Sequence, residues 1–460
     1  MARSGRLTYR QLNEAADRAA GAFAALGLQR GDHVAVSLPN DLDVVVAFHG
    51  AMRLGLVWIG MNTALAEPEK AHIVQDSGAR FVLDSTVDWA AAMASASAPP
   101  TVDVDPHAPA GIAYTSGTTG LPRGVVHSQH NLLLPGAVLV AERGYDESLR
   151  KGDCLPLTIL NLMVLTTLLT AQAGGCCVVI DRRDADGVLD WIRDERVSVW
   201  NGVPTQLFDL ARKYADRRAD LATLTEVWSG GGDCPDALRE EFRAAFGLPV
   251  RATYGLTEAP TVVAIDPVGD EWRPGASGRA LPHLQVRAIA DDGTDVAAEE
   301  LGEIAVEAAT SGLWVGQWTP MLGEWSGGAM HARTDPMLRT GDLGTVEGGW
   351  VSIRDRRKLV VVRGGANIYP AEVERALLSV PGVAAAAAFG IPSERLGEQL
   401  AAVVQPVPGA TVTVDMLVAV CTEQLARYKV PERWAVVDTI PVNAMGKVLR
   451  QRLPDLLSPG

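Results

Sequence analysis

The sequence predicts an α/β protein: a large N-terminal domain, residues 1–355, followed by a small α+β domain, residues 356–460. Three observations carry that reading. Helix-like and strand-like apolar patterns alternate through residues 8–83. The texture then changes to short β-like runs and turns over residues 278–306. A fresh alternating pattern begins after Arg354-Asp355-Arg356-Arg357-Lys358. At one domain per ~100–200 residues, a chain this long is expected to hold two or three.

Taken in order, Thr8 to Leu26 reads as an amphipathic helix, with Leu12, Ala15, Ala16, Ala19, Phe23 and Leu26 at helical spacing. Gly27 and Gly31 end it, and His33 to Leu38 reads as a strand. Val44 to Leu54 is helical again and Arg80 to Leu83 a strand. Such alternation favours largely parallel sheets. Ala90 to Pro100 reads as a surface loop or frayed helix, with a linker as the other reading. Leu155 to Ile180 carries no charge and is long enough to raise a transmembrane reading. Pro156, Asn161, Gln172, Gly174 and Gly175 interrupt it, so a buried helix followed by a buried strand is expected, without membrane insertion. Thr345–Ile353 reads as a hairpin around Gly348-Gly349. Ala384–Ala388 favours helix by propensity, yet Pro381-Gly382 and Gly390 leave only a short piece, and a strand is expected.

Composition excludes some function classes. Hydrophobic residues make up 47% and charged residues 21%, a globular balance. The net charge of −14 argues against nucleic-acid binding, which needs clustered positive charge. Small phosphate ligands stay open, because backbone N–H groups and one or two cations suffice for them. The 5 cysteines (Cys154, Cys176, Cys177, Cys234, Cys421) form no C-x-x-C pair and are odd in number. A disulfide framework or zinc site is therefore not expected. The segment Met1-Ala-Arg-Ser-Gly-Arg-Leu-Thr-Tyr9 lacks the apolar core of a secretory signal, so a cytoplasmic location is expected.

The most informative string is Ala113-Tyr-Thr-Ser-Gly-Thr-Thr-Gly-Leu-Pro-Arg-Gly-Val-Val126. A short apolar run, Gly111–Tyr114, leads into a loop rich in Gly, Ser and Thr. Glycines let the backbone curl so that successive N–H groups face one anion, hydroxyls add donors, and Arg123 adds charge. This chemistry suits a polyphosphate. The spacing is not that of a Walker A loop.

With that string the chain resembles the adenylate-forming superfamily of acyl-CoA synthetases, adenylation domains and luciferases. The resemblance runs from Leu7-Thr8-Tyr9 to Gly446-Lys447. It rests on five motifs in the family's order: Tyr114–Gly124, Tyr254-Gly-Leu-Thr-Glu258, Arg339-Thr-Gly-Asp342, Gly364-Gly-Ala-Asn-Ile-Tyr-Pro-Ala-Glu-Val-Glu374, and Pro441–Lys447 followed by Arg450. It implies a large domain of two αβ-layered subdomains plus a β-rich one, and a mobile C-terminal domain. The implied reaction joins a carboxylate to the α-phosphate of ATP, giving an acyl-adenylate, and then passes the acyl group to a thiol. Two anions must meet, so the site must supply positive charge and oriented dipoles.

The resemblance assigns roles residue by residue. Thr115, Ser116, Gly117, Thr118, Thr119 and Gly120 would hold the β- and γ-phosphates, with Arg123 where the family usually has Lys. Thr257 would touch the α-phosphate and Glu258 would bind Mg²⁺, a metal suited to a hard carboxylate oxygen. Tyr254, beside Gly255, would pack on adenine; taken alone it would read as a core aromatic. Ser229-Gly230-Gly231-Gly232 resembles the family's glycine segment between adenine and acyl sites, against a simple tight turn. Asp342 would accept both ribose hydroxyls, Arg356 would contact the ribose, and Lys447 would catalyse adenylation. Lys358 falls at the hinge, where the small domain swings between half-reactions. Gly364 and Gly365 would then line the approach of CoA.

Some residues depart from the family pattern. Pro156-Leu157-Thr158-Ile159 stands where many relatives read Pro-Leu-Phe-His, Ser128-Gln129 replaces Thr-His, and Pro336-Met337-Leu338 replaces Asp-Gly-Trp. An aspartate that holds an α-ammonium is absent, which argues against an amino-acid substrate. Candidate acyl-pocket residues are Ile159, Trp200, Asn201, Gly202, Gly230, Gly231 and Leu256. Core packing and pocket lining are equally open for Trp200. Their mostly apolar or small character suits a bulky hydrophobic, aryl or polycyclic acid. Three functions follow for testing: a CoA ligase, an adenylating enzyme that hands its acyl group to a separate acceptor protein, and a non-catalytic nucleotide-binding protein. The expected partners are ATP, Mg²⁺, CoA and a small-molecule acid, on a monomer or homodimer.

Overall fold

Thr8 starts the first helix in the computed structural model, which describes residues 1–115, 122–232, 234–269, 272–363, 366–393, 395–443 and 446–457. Its side chain accepts from Gln11 N while the Gln11 side chain returns to Thr8 N, a reciprocal cap on Tyr9–Ala25. The inward face of that helix, Ala15, Ala16, Ala19, Ala20 and Phe23, is fully or almost fully buried. It packs with helix Leu42–Leu54 in one core that also takes in Leu157–Leu168. By contact the chain divides into two units. Unit 1 is Met1–Val286 with Val306–Leu338, and unit 2 is Arg287–Ala305 with Arg339–Gly460. The expected 355/356 boundary thus lies inside unit 2.

Unit 1 is built on two sheets. In chain order the strands of the first are β1 (His33–Val36), β2 (Val57–Gly60), β3 (Phe81–Leu83), β4 (Pro109–Thr115) and β5 (Arg123–Ser128). β1 is parallel to β2 and β3, β2 is parallel to β4, and β5 returns antiparallel. The hairpin Gly323–Ser326/Ala329–Ala332 extends this sheet beside β5. The second sheet holds β6 (Arg150–Asp153), β7 (Cys176–Val179), β8 (Val199–Gly202), β9 (Glu226–Ser229), β10 (Val250–Gly255), β11 (Val262–Ile265) and β12 (Arg279–Ala280). β6 to β10 run parallel in the order β10-β9-β8-β6-β7, and β11 and β12 follow antiparallel. Most residues of the parallel strands are buried, including the charged Lys151 and Asp153 of β6.

Leu155–Ile180 folds as expected, into a helical stretch from Leu160 to Ala173 and then β7. Met163–Leu168 in its middle is a wider π-type turn, held in part by Thr167 donating to Met163 O at 2.8 Å. Among the described residues no helix is long and apolar enough to cross a membrane. The segment after β6 approaches β2 closely at Gly60, where a Cβ would lie 1.7 Å from the Thr158 carbonyl oxygen, so any side chain there would force the two apart. A second core joins helices Ala185–Asp194, Pro204–Lys213 and Asp236–Phe246 to β8 and β9. Each Leu, Ile or Phe fully buried there is worth roughly 1.5–3 kcal/mol of transfer energy.

Unit 2 contains the hairpin formed by Leu338–Glu347 and Trp350–Arg356. Its turn is Gly348-Gly349, both with positive φ, as the glycine pair predicts. Beyond it lies a five-stranded sheet in the order Ala366–Ile368, Val361–Arg363, Gly397–Pro406, Val383–Ser393, with Arg433–Val436 also pairing Gly397–Pro406. The Ala384–Ala388 run is strand despite its helix propensity. It pairs antiparallel with residues 402–406 and buries Ala387 and Ala388 completely, and tertiary pairing outweighs a few tenths of a kcal/mol per residue, an order-of-magnitude figure. Helices Pro370–Leu378 and Val414–Gln424 complete this core. Glu374 accepts from Ala388 N and pairs with Arg450 at 2.8 Å, so two residues of separate sequence motifs hold helix, strand and C-terminal segment together.

Candidate active site

The residues singled out in unit 1 gather at the carboxyl ends of parallel strands, where open α/β sheets bind ligands. Thr115 is the last residue of β4. Asn201 and Gly202 end β8, Gly230 to Gly232 follow β9, and Gly255 ends β10. Ser116, Gly117, Thr118, Thr119 and Gly120 lie outside the described residues. Arg123 is the exposed first residue of β5 and pairs with Glu324 at 3.2 Å. An exposed pair of this kind is worth at most about 1 kcal/mol, so its guanidinium is easily drawn to a stronger anion.

The Tyr254–Glu258 segment is fixed by its backbone. At Gly255 a Cβ would lie 1.9 Å from the Thr261 carbonyl oxygen, which only glycine permits as the chain folds back toward β11. The Thr257 carbonyl accepts from His127 Nε2 at 2.7 Å, and the Glu258 carbonyl accepts from Met321 N at 2.9 Å. Both side chains are half-buried. Tyr254 is half-buried beside the third core, alongside Leu256, which is buried. Thr253 donates to Ser229 O at 2.8 Å, tying β10 to the start of the Gly230-Gly231-Gly232 turn, whose middle residue has φ +77.

On the acyl side, Ile159 is half-buried at the start of the helical stretch. Trp200 is completely buried in the second core, so packing is a role its indole fills, and Gly202 lies against its ring. Asn201 is buried with Nδ2 3.5 Å from Asp153 Oδ2. Sequence reasoning missed this aspartate. It accepts from Leu155 N at 3.0 Å and Thr166 Oγ1 at 3.1 Å, and lies 3.9 Å from the buried Lys151 ammonium, which sits over the Trp228 ring. Burial raises the Asp153 pKa and lowers that of Lys151, each opposed by the other's charge. A cavity of about 450 Å³ lined by Arg30, His33, Leu56, Val104, Gln129 and Trp325 opens instead at the amino ends of β1, β2 and β4. None of the candidate site residues named from the sequence lines it.

Unit 2 brings together four residues that the sequence assigned to one nucleotide and its hinge. Asp342 and Arg356 are register partners in the hairpin, and the buried Asp342 carboxylate pairs with Arg356 Nε at 2.8 Å. Lys447 lies in a turn where its N–H donates to Asn443 Oδ1 at 2.9 Å. Its pKa is lowered from the ordinary 10.5 by the crowding of surrounding protein, then by the charges of Arg356 and Lys358, while Asp342 opposes them. The residue is exposed at its turn. Lys358 is exposed in the single 3-10 turn Arg357–Leu359. Next to it Asp355 accepts from Ala371 N at 2.8 Å, anchoring the first turn of helix Pro370–Leu378. Gly364 and Gly365 lie outside the described residues.

Among the described residues no three His, Cys, Asp or Glu side chains group into a metal cage. The lone Glu258 carboxylate suits Mg²⁺, which takes one or two carboxylates and fills its remaining positions with phosphate oxygens and water.

The fold and the sequence define an AMP-binding enzyme. Residues 2–313 match the AMP-binding enzyme family and residues 372–447 its C-terminal domain, and the chain is a member of that family. It is 32% identical to the long-chain-fatty-acid–CoA ligase FadD13 of Mycobacterium tuberculosis, over 98% of this chain and 93% of that one. It is also 32% identical to the fatty acid–[acyl-carrier-protein] ligase ScoC of Streptomyces coeruleorubidus, over 98% and 91%. Among solved structures it resembles ATP-bound MatB from Rhodopseudomonas palustris, with TM-score 0.87, 28% identity, and 99% and 94% of the two chains covered.

Proposed function

We propose that this protein joins a hydrophobic or aryl carboxylic acid to AMP with release of pyrophosphate, then transfers the acyl group to CoA. The observation that carries the reading is the clustering in unit 2 of Asp342, Arg356, Lys358 and Lys447. Like charges in one cluster repel one another, and an incoming anion relieves that repulsion. A triphosphate and a carboxylate supply it.

Roles then follow from chemistry. Asp342 accepts the ribose hydroxyls on lone pairs not engaged by Arg356. The Thr257 hydroxyl donates to the α-phosphate, and Arg123 leaves Glu324 for the terminal phosphates. Glu258 would hold Mg²⁺, which neutralises phosphate charge when bound. Lys447 bridges the carboxylate and α-phosphate oxygens as the acid oxygen attacks phosphorus and pyrophosphate leaves. Gly230, Gly231, Ile159, Asn201 and Leu256 line the acyl side, and their mostly small or apolar character supports the choice of acid.

We place the hinge at Lys358, between residues 1–355 and 356–460, supported by its exposed single turn between two strands. The five free thiols support a reducing, cytoplasmic location. The FadD13 relative supports CoA as acceptor. The ScoC relative favours a second reading, with an acyl-carrier protein in its place.

The test is a screen of carboxylic acids for ATP-dependent pyrophosphate release, with and without CoA. Release with hydrophobic or aryl acids is expected, with AMP and a thioester once CoA is added. No acid-dependent release from any acid would end the adenylation reading. Release without thioester would move the acceptor to a carrier protein.

A further inference from the structure

We infer that His127 is a positioning residue for the adenylation half-reaction, holding the Thr257–Glu258 segment in place through the Thr257 carbonyl. The inference rests on the roles proposed above for Thr257 and Glu258. His127 lies near the end of β5 in the first sheet, whereas Thr257 follows β10 in the second. Their 2.7 Å hydrogen bond therefore spans two sheets and 130 positions of sequence.

The imidazole is completely buried. Its other nitrogen, Nδ1, lies 3.5 Å from Asn131 Nδ2. Asn131 is itself held: its amide donates to Pro320 O at 2.9 Å, and its side-chain oxygen accepts from Thr319 Oγ1 at 2.8 Å. A carbonyl acceptor on Nε2 and an amide donor toward Nδ1 select the neutral ring with its proton on Nε2. Burial favours the same neutral form, pushing the pKa down to about 4. The residue after Pro320 is Met321, whose N–H holds the Glu258 carbonyl. One polar bracket, His127–Asn131–Pro320–Met321, thus secures both carbonyls of the Thr257-Glu258 pair. Truncating the histidine would leave the Thr257 carbonyl without this donor, loosening Thr257 against the α-phosphate and slackening the neighbouring Glu258, which keeps only the Met321 bond of the bracket.

The test compares His127→Leu, which keeps buried volume but has no donor, with His127→Gln, whose amide can still reach the carbonyl. Adenylation is read as acid-dependent pyrophosphate exchange with apparent KM values for MgATP and acid. Thiolysis is read separately, as thioester formation from supplied acyl-adenylate and CoA. One lost hydrogen bond predicts adenylation slower by roughly threefold to tenfold in the Leu variant, carried in kcat and in KM for MgATP, with KM for the acid and thiolysis unchanged. The Gln variant should recover most of that loss and keep the wild-type pH profile between pH 5.5 and 8. If His127→Leu does not fold, His127→Asn, whose amide stops short of the carbonyl, takes its place. Equal loss of both half-reactions, an unaffected adenylation rate, or no rescue by Gln would overturn the inference. Absence of acid-dependent exchange in the wild type would instead overturn the adenylation reading beneath it.

Discussion

Lys447 illustrates how a side chain acquires a role from its neighbours. A lysine near a C-terminus is ordinarily a solvated charge. Here surrounding protein lowers its pKa below the ordinary 10.5, the charges of Arg356 and Lys358 add to that, and Asp342 offsets part of the effect. Removing its ammonium takes away a transition-state donor, so Lys447→Ala should slow acyl-AMP formation by ~10²–10³. Acid-dependent pyrophosphate release measures this, and a near-normal rate would contradict the role. The rate should also fall as pH rises through the lowered lysine pKa, because the neutral amine no longer balances phosphate charge. Lys447→Arg, which stays charged, should lose that alkaline limb. At this scale most of the candidate site was legible, since the motifs are short strings of glycines, hydroxyls and single charges. His127, Lys151 and Asp153 were not. The charged string of β6 reads as an exposed segment although the fold buries it, and the partner of His127 follows a strand of another sheet.

At the scale of elements, turns and caps were the most legible features. The helix starting at Thr8, the Gly348-Gly349 hairpin and the interrupted Leu155–Ile180 run all fold as their residues suggest. The π-type turn at Met163–Leu168 was not foreseen, because its widening depends on the packing around it. The hinge belongs to this scale too. Lys358 occupies a single 3-10 turn between strands Trp350–Arg356 and Val361–Arg363. Proline there would lock one φ in the segment proposed to change conformation between half-reactions. Lys358→Pro should lower thioester formation by roughly tenfold or more while adenylation changes by less than about twofold. Parallel assays of pyrophosphate and thioester decide it, and equal loss in both would remove the hinge assignment.

For the whole molecule, stability carries the mark of buried histidines. His283 is completely buried with neither ring nitrogen bonded among the described residues, and its pKa is pushed down to about 3 by burial. In the unfolded chain the ring protonates near 6.5. Its contribution to stability is therefore complete above that pH and is lost progressively as pH falls toward 3. Comparing wild type with His283→Phe isolates this group from buried carboxylates such as Asp266, whose raised pKa acts in the opposite direction. Between pH 7 and 4.5 the Phe variant should lose less stability than wild type, by about 2 kcal/mol. Urea unfolding at the two pH values measures it, and parallel losses would refute it. What the sequence by itself determined were the class of chemistry, the α/β alternation and the identities of the residues proposed to hold the nucleotide. Local spacing encodes turns, periods and phosphate-binding strings, and these need no partner to be read. Only the tertiary structure decided that Trp200 fills a core, that Asp153 braces Asn201, that Glu374 meets Arg450, and that His127 holds Thr257. Those are pairings across sheets and long stretches of chain, settled by which groups lose water together, and no short window of sequence contains both halves of such a contact.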